Sequence, residues 1–139
     1  MGLNERLAAA GRQLVERESQ YVSDLDAAWE CARKLHGRLS AALEVFHAEV
    51  MERAPQLALT LAEPVLDEKH LRAVQFQLER GRHRAIVTVK SRGEVTLVGP
   101  FRLGKSEGPC RSFPFAAETE LEAALEDFML AFVEEAATP

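Results

Sequence analysis

Over the first fifty positions the apolar residues recur at steps of three and four, and beyond residue 57 they recur at every second position. The first period is that of a helix and the second that of a half-buried strand. Val22, Leu25, Trp29, Ala32, His36, Leu39, Leu43, Phe46 and Val50 make a stripe that holds for about four heptads. Upstream, Leu3, Leu7, Ala10 and Leu14 make a second stripe, displaced by one residue in the heptad frame. Ser19, Ser23 and Asp24 lie between the two, and Ser23 with Asp26 has part of a capping-box signature. The region reads either as one long helix with a phase shift or as two helices broken near 19–23. No proline interrupts residues 3–53. Gly37 costs about 1 kcal/mol relative to alanine, yet the stripe continues past it. Pro55 ends the helix, because the residue before a proline avoids the helical region.

A helix of this length exceeds what one small core covers. The stripe therefore predicts a coiled-coil-like oligomerisation segment over residues 1–53. A homodimer is its simplest form, with Val22, Leu25, Trp29, His36, Leu39, Leu43, Phe46 and Val50 at the interface. A chain folded back on itself near residue 20 is the alternative.

Leu57, Leu59 and Leu61 alternate with smaller or polar residues, as do Val74, Phe76 and Leu78, then Ala85, Val87 and Val89, then Val95 and Leu97. Gly81-Arg82-His83 and Ser91-Arg92-Gly93 separate successive runs and read as tight hairpin turns. Gly99-Pro100 kinks the end of the fourth run, and Phe101 to Leu103 continues it. Lys105 to Pro109 reads as a loop. Cys110 to Phe115 reads as a last extended piece, at an edge because of Pro114. Leu121, Ala124, Leu125, Phe128, Met129, Phe132, Val133 and Ala136 then return to helical spacing, opposite a face made of carboxylates. The predicted architecture is α+β. It comprises a long N-terminal helix or helix pair, an antiparallel meander of four to five strands over 57–104, and an amphipathic helix over 117–136 packed on the sheet. Residues 57–139 form the α+β part, and the whole chain one folding unit.

At 139 residues the chain has the length of one domain. Its net charge of −5 is unevenly spread. Residues 65–112 hold ten basic and five acidic residues, whereas residues 113–139 hold seven acidic and no basic ones. An acidic protein thus carries a basic middle, which is either an anion-binding surface or the mate of an acidic one. Its centre is Arg80, Arg82, Arg84, Lys90 and Arg92, around the two hairpin turns. Arginine suits phosphate because its fork is planar and always charged, so these five are candidate anion-binding residues. No aromatic residue is interleaved with them for base stacking, and the negative net charge opposes a polyanion at long range.

Cys31 and Cys110 do not make a disulfide framework and fit a reducing cytoplasm. No apolar run is long enough to span a bilayer. His36 in the stripe suits a register-setting polar group. Glu44 and His47 make one Glu-x-x-His pair, whereas a helical di-metal site needs two. Cys110 beside Arg111 is a loop thiol with no histidine near it in sequence. His-Glu-x-x-His, Cys-x-x-Cys, Gly-rich phosphate loops and Gly-x-Ser-x-Gly do not occur. No catalytic residue, metal or cofactor is therefore expected. In size, charge and plan the chain resembles secretion chaperones, a likeness of shape that carries no function by itself; its strand order and long helical start depart from that group. The expected function is that of a non-enzymatic, cytoplasmic interaction protein, an adaptor, chaperone or assembly subunit. Its partners are itself and another protein, with no membrane. Nucleic-acid or polyanion binding through the basic hairpins is the first alternative, and a small-molecule or metal-binding protein the second.

Overall fold

The computed structural model describes residues 2–67, 69, 72–104 and 108–137. His70, and Lys105, Ser106 and Glu107 of the expected loop, lie outside these. Helix α1 (Leu3–Val50) is a single element of 48 residues, so of the two readings near 19–23 the unbroken one holds. That stretch lacks glycine and proline, and the Gln20 side-chain amide donates to Asp24 one turn on, at 2.8 Å. At the start, the Gly2 N–H donates to the Glu5 carboxylate at 2.6 Å. Glu5 thereby also meets the positive end of the helix dipole.

A single tight turn of helix, Pro55–Leu57, takes Leu57 out of the first expected strand. What remains is β1 (Thr60–Leu61) and β2 (Val65–Leu66), separated at Pro64 and both paired to β3 (Ala73–Arg80). Strands β4 (His83–Lys90), β5 (Glu94–Arg102) and β6 (Cys110–Pro114) follow. The order is β1-β3-β4-β5-β6, every pairing is antiparallel, and the sheet has six strands because β2, beyond the first expected run, also pairs with β3. Strand β6 lies at an edge, where Pro114 needs no ladder partner on one side. Helix α2 (Glu118–Ala136) closes the chain.

The register decides which face is apolar. Val74 stands opposite Val89, Phe76 opposite Val87 and Leu78 opposite Ala85. Val89 then meets Val95, Val87 meets Leu97, and Val95 meets Phe113. All of these are buried. Helix α1 covers this face across β3 and β4, and α2 covers it across β5 and β4. Gln75, Gln77, Ile86 and Thr88 alternate onto the opposite face, which is half-buried.

Gly99 and Pro100 together oppose Ala85, a bulge at which the β4–β5 register shifts. Gly99 has φ of 108°, and a Cβ there would sit 3.0 Å from the Arg84 carbonyl oxygen. Gly37, on the exposed side of α1, has nothing within 4 Å of such a Cβ. Opposite outcomes follow for one substitution. Gly37→Ala should stabilise the protein by about 1 kcal/mol through helix propensity. Gly99→Ala should destabilise it by more than about 1 kcal/mol, from left-handed strain plus the clash. Urea denaturation of both variants checks this, and equal midpoints would contradict it.

Candidate functional site

Two surfaces and two basic clusters are the places where this fold could act. The first surface is the N-terminal part of α1. Helix positions that face the sheet are Ala28, Ala32, Leu35, Leu39 and Leu43, all buried. Their steps of four, three, four and four follow the 3.6-residue repeat of a helix on its own sheet, not the 3.5-residue repeat of a supercoil. Of the expected interface residues, Leu39 and Leu43 thus belong to this chain's own core. Leu25, Trp29 and Phe46 are half-buried against it. Val50 is half-buried, and Val22 is exposed. His36 brings Nε2 to 3.1 Å from the Ala62 carbonyl oxygen and its ring edge to Phe76, with centroids 5.2 Å apart.

Counted at 3.6 residues per turn, Leu3, Leu7, Ala10, Leu14 and Tyr21 continue the sheet-facing stripe toward the N-terminus. Tyr21 still reaches the sheet, beside Arg72 and Ala73, and the stripe before it runs past the described strands. Leu3, Leu7, Leu14, Val15 and Val22 are 55–70 % exposed. Counted at 3.6 residues per turn instead of in sevens, the one-residue slip between the two stripes of the sequence disappears.

The second surface is a groove between α1 and α2, which lie side by side on the sheet. Arg38 bridges it, donating to Glu122 at 2.8 Å and standing 3.6 Å from Glu126. On one side of the bridge is a hollow of about 990 Å³, lined by Ala27, Cys31, Leu35, Leu121 and Phe115 with Glu30 and Glu118 at its rim. On the other side is a smaller one of about 210 Å³ among Leu39, Ala42, Leu125, Met129 and Leu130. Burial pushes the Cys31 thiol pKa up, with the Lys34 charge opposing.

The five basic candidates do not form one patch. Arg80, Arg82 and Arg84 lie at one end of β4, Lys90 and Arg92 at the other, about 25 Å away at strand rise. Arg80 donates to the Gln56 carbonyl at 2.9 Å and to the Ala136 carbonyl at the end of α2. Arg84 donates to the Gly81 and His83 carbonyls at 2.6 and 2.9 Å, with Glu79 at 3.8 Å. Arg82 is exposed at the turn. Lys90 and Arg92 share Glu94 at 3.4 and 3.2 Å. The Arg92 hydrogen bond, helped by Lys90, holds the Glu94 carboxyl below the usual carboxylate range. Two carboxylates of α2 thus face Arg38 of α1 and its last turn takes Arg80, while Arg84, Lys90 and Arg92 stand by glutamates within the sheet.

At the Lys90 end the fold adds two cations that the sequence does not bring near. The pairing of Ala73 with Lys90 places Lys69 and Arg72 beside Lys90 and Arg92, around an open hollow of about 750 Å³ that Tyr21 and Asp24 of α1 also line. The Arg72 guanidinium stacks 4.0 Å from the centroid of the Tyr21 ring.

His47 accepts a hydrogen bond from the Leu59 N–H at 3.1 Å, so its Nε2 pins the chain after α1. His83 is buried, and its Nδ1 has no hydrogen-bond partner among the described residues. No three His, Cys, Asp or Glu side chains among the described residues converge as a metal site would require. No helix among them is long and apolar enough to cross a membrane. Compared with known proteins, the chain matches no family model, no curated protein and no solved structure.

The two thiols should differ in reactivity. Cys110 is exposed, whereas Cys31 is half-buried with a raised pKa. Since the thiolate is the reactive form, iodoacetamide at pH 7.5 should modify Cys110 roughly tenfold faster or more. Peptide mass mapping over time reads the two rates, and equal rates would contradict the burial of Cys31.

Proposed function

We propose that this chain is a non-enzymatic interaction protein, an adaptor or assembly subunit of the cytoplasm, that self-associates through the N-terminal part of α1. The observation that carries this reading is the reach of α1 beyond its sheet. About twenty residues of helix project with an apolar stripe that, before Tyr21, stays exposed among the described residues. An isolated helix of that length is marginal in water, so its stability points to burial against something else. Contiguous apolar surface of this kind marks interaction sites. The self-association moves from the Val22–Val50 stripe to residues 3–22, because Leu39 and Leu43 already serve the sheet. The sheet's open face and the outer side of α2 remain for a protein partner.

Sedimentation velocity tests it. The wild-type chain should sediment as a dimer at micromolar concentration. Leu7→Asp with Leu14→Asp should sediment as a monomer, with the same urea midpoint for the α+β body. A wild-type monomer in the high micromolar range would overturn the reading.

A second reading rests on the cations gathered at the β4–β5 turn. Lys69, Arg72, Lys90 and Arg92 around one hollow, with Tyr21 beside them, suit the backbone of a polyanion, by charge neutralisation and one stacking surface. Arg72→Glu with Arg92→Glu should weaken binding of a single-stranded oligonucleotide roughly tenfold or more, and affinity should fall as salt rises. Arg82→Glu, at the far end of β4, should leave it unchanged. Fluorescence anisotropy at low salt reads this, and no binding by the wild-type chain there would remove it.

A further inference from the structure

The projecting end of α1 and the groove between α1 and α2 are both exposed, and the projecting rod is long enough to run the whole groove. The chain exposes 9291 Å², whereas a compact protein of 15.4 kDa exposes about 7,200 Å². The excess of roughly 2,000 Å² exceeds the 800 Å² or so that each partner contributes to a standard interface. The groove runs from Ala27 to Ala42 along α1, about 22 Å at helical rise. Residues 3–22 make a rod of about 30 Å.

The chemistry of the two also matches. The floor of the groove is apolar, and Leu130 stands 61 % exposed at its far end. Its α2 side carries Glu118, Glu122 and Glu126; Arg38 meets the last two, and its α1 side carries Glu30 and Lys34. On the projecting helix, Arg6 and Arg17 stand on the same flank of the Leu3–Leu7–Leu14–Tyr21 stripe, three turns apart. That spacing spans the carboxylates from Glu118 to Glu126. The stripe faces the side on which the sheet lies. A projecting helix laid over the helices of another copy therefore turns its leucines down into the groove.

We propose that two copies of this chain exchange their N-terminal helices, residues 3–22 of each filling the α1–α2 groove of the other. The proposal rests on the self-association reading above and adds its orientation and its receptor. Reciprocal filling requires the two α1 helices to run antiparallel and to cross near residues 22–23, so that residues 3–22 of one lie along residues 23–42 of the other. Such a pair is closed by one two-fold axis and leaves no apolar end open to a third copy. Arg6 and Arg17 of one copy then face the α2 carboxylates of the other, and the short helix–helix groove becomes a three-helix layer over each sheet.

Spin-label distances test this in the full chain with Cys31→Ser and Cys110→Ser as background. Labels are placed at Asn4→Cys in one sample and Ser23→Cys in another, with sedimentation run on both. The proposed pair brings the two residue-23 labels within about 20 Å and holds the two residue-4 labels about 55 Å apart, from 1.5 Å per residue over the antiparallel overlap. Short distances at both positions mean parallel pairing, and about 30 Å at both means antiparallel pairing of the projecting ends alone. Either result overturns groove filling while leaving self-association standing. A chain that stays monomeric, with no dipolar coupling at either position, overturns both.

Discussion

Val74, Phe76, Leu78, Ala85, Val87, Val89, Val95 and Leu97 bring their side chains to one side of β3, β4 and β5, and none of them is more than 4 % exposed. Removing a large aliphatic or aromatic side chain from water contributes about 1.5–3 kcal/mol, so this one face dominates what the fold gains. Two helices share the task by different means. Helix α1 uses Ala28 and Ala32, both fully buried, so that its backbone approaches β3 and β4 closely. Helix α2 uses Leu125, Phe128, Met129 and Phe132. Both helices carry further leucines and α2 two further alanines on the same face. The groove between the helices lies above this shared layer, bridged by Arg38.

The polar contacts fix the ends of the elements once this face is covered. Helix α2 has no basic residue in its last turn and carries Glu134 and Glu135 there, where the helix dipole opposes them. Arg80 of β3 answers both problems, because its guanidinium reaches the Ala136 carbonyl and supplies a cation at the negative end of the helix. On the other side, His47 takes the Leu59 N–H and His36 sits against Ala62. These tie the connection after α1 back to the helix, so the two-residue strands β1 and β2 need little ladder of their own. Residues that look functional in the sequence, Arg80 and two of the histidines, are spent on joining helices to sheet.

Much of this is legible in the sequence, and the exceptions have physical reasons. The alternation of Val74 to Leu78, Ala85 to Val89 and Val95 to Leu97, with glycines at the turns, prescribes the meander and its apolar face. The spacing from Leu121 to Ala136 prescribes α2. The sixth strand is Val65–Leu66, which follows Pro64 in a stretch that reads as a connection and carries no alternation of its own. That α1 is helical is legible, but not that it is one helix, nor which face is covered: Trp29 and His36 fit a repeat of seven, while Ala28 and Leu35 fit the sheet. Small residues carry little weight in a hydrophobic pattern, although they mark where backbones come closest. Nor does the sequence order join Lys69 and Arg72 to Lys90 and Arg92. That grouping depends on the register of β3 against β4, which pairs residues 73 and 90.

The charge segregation along the chain acquires a different meaning in three dimensions. A basic middle and an acidic tail suggest two halves attracting one another, yet Arg84, Lys90 and Arg92 find Glu79 and Glu94 within the sheet, and it is Arg80 that reaches the end of α2. Of α2's seven carboxylates, Glu122 and Glu126 have Arg38 as their cation. The outer surface of α2 therefore keeps a net negative field, and the tips of the sheet keep a positive one. The groove itself carries both signs, with Lys34 and Arg38 among Glu30, Glu118, Glu122 and Glu126. An uncharged surface that closed over these groups would strip them of water without replacing it. On the pairing proposed above, the covering helix therefore has to bring charges of its own beside its leucines, and Arg6 and Arg17 are the cations it would bring.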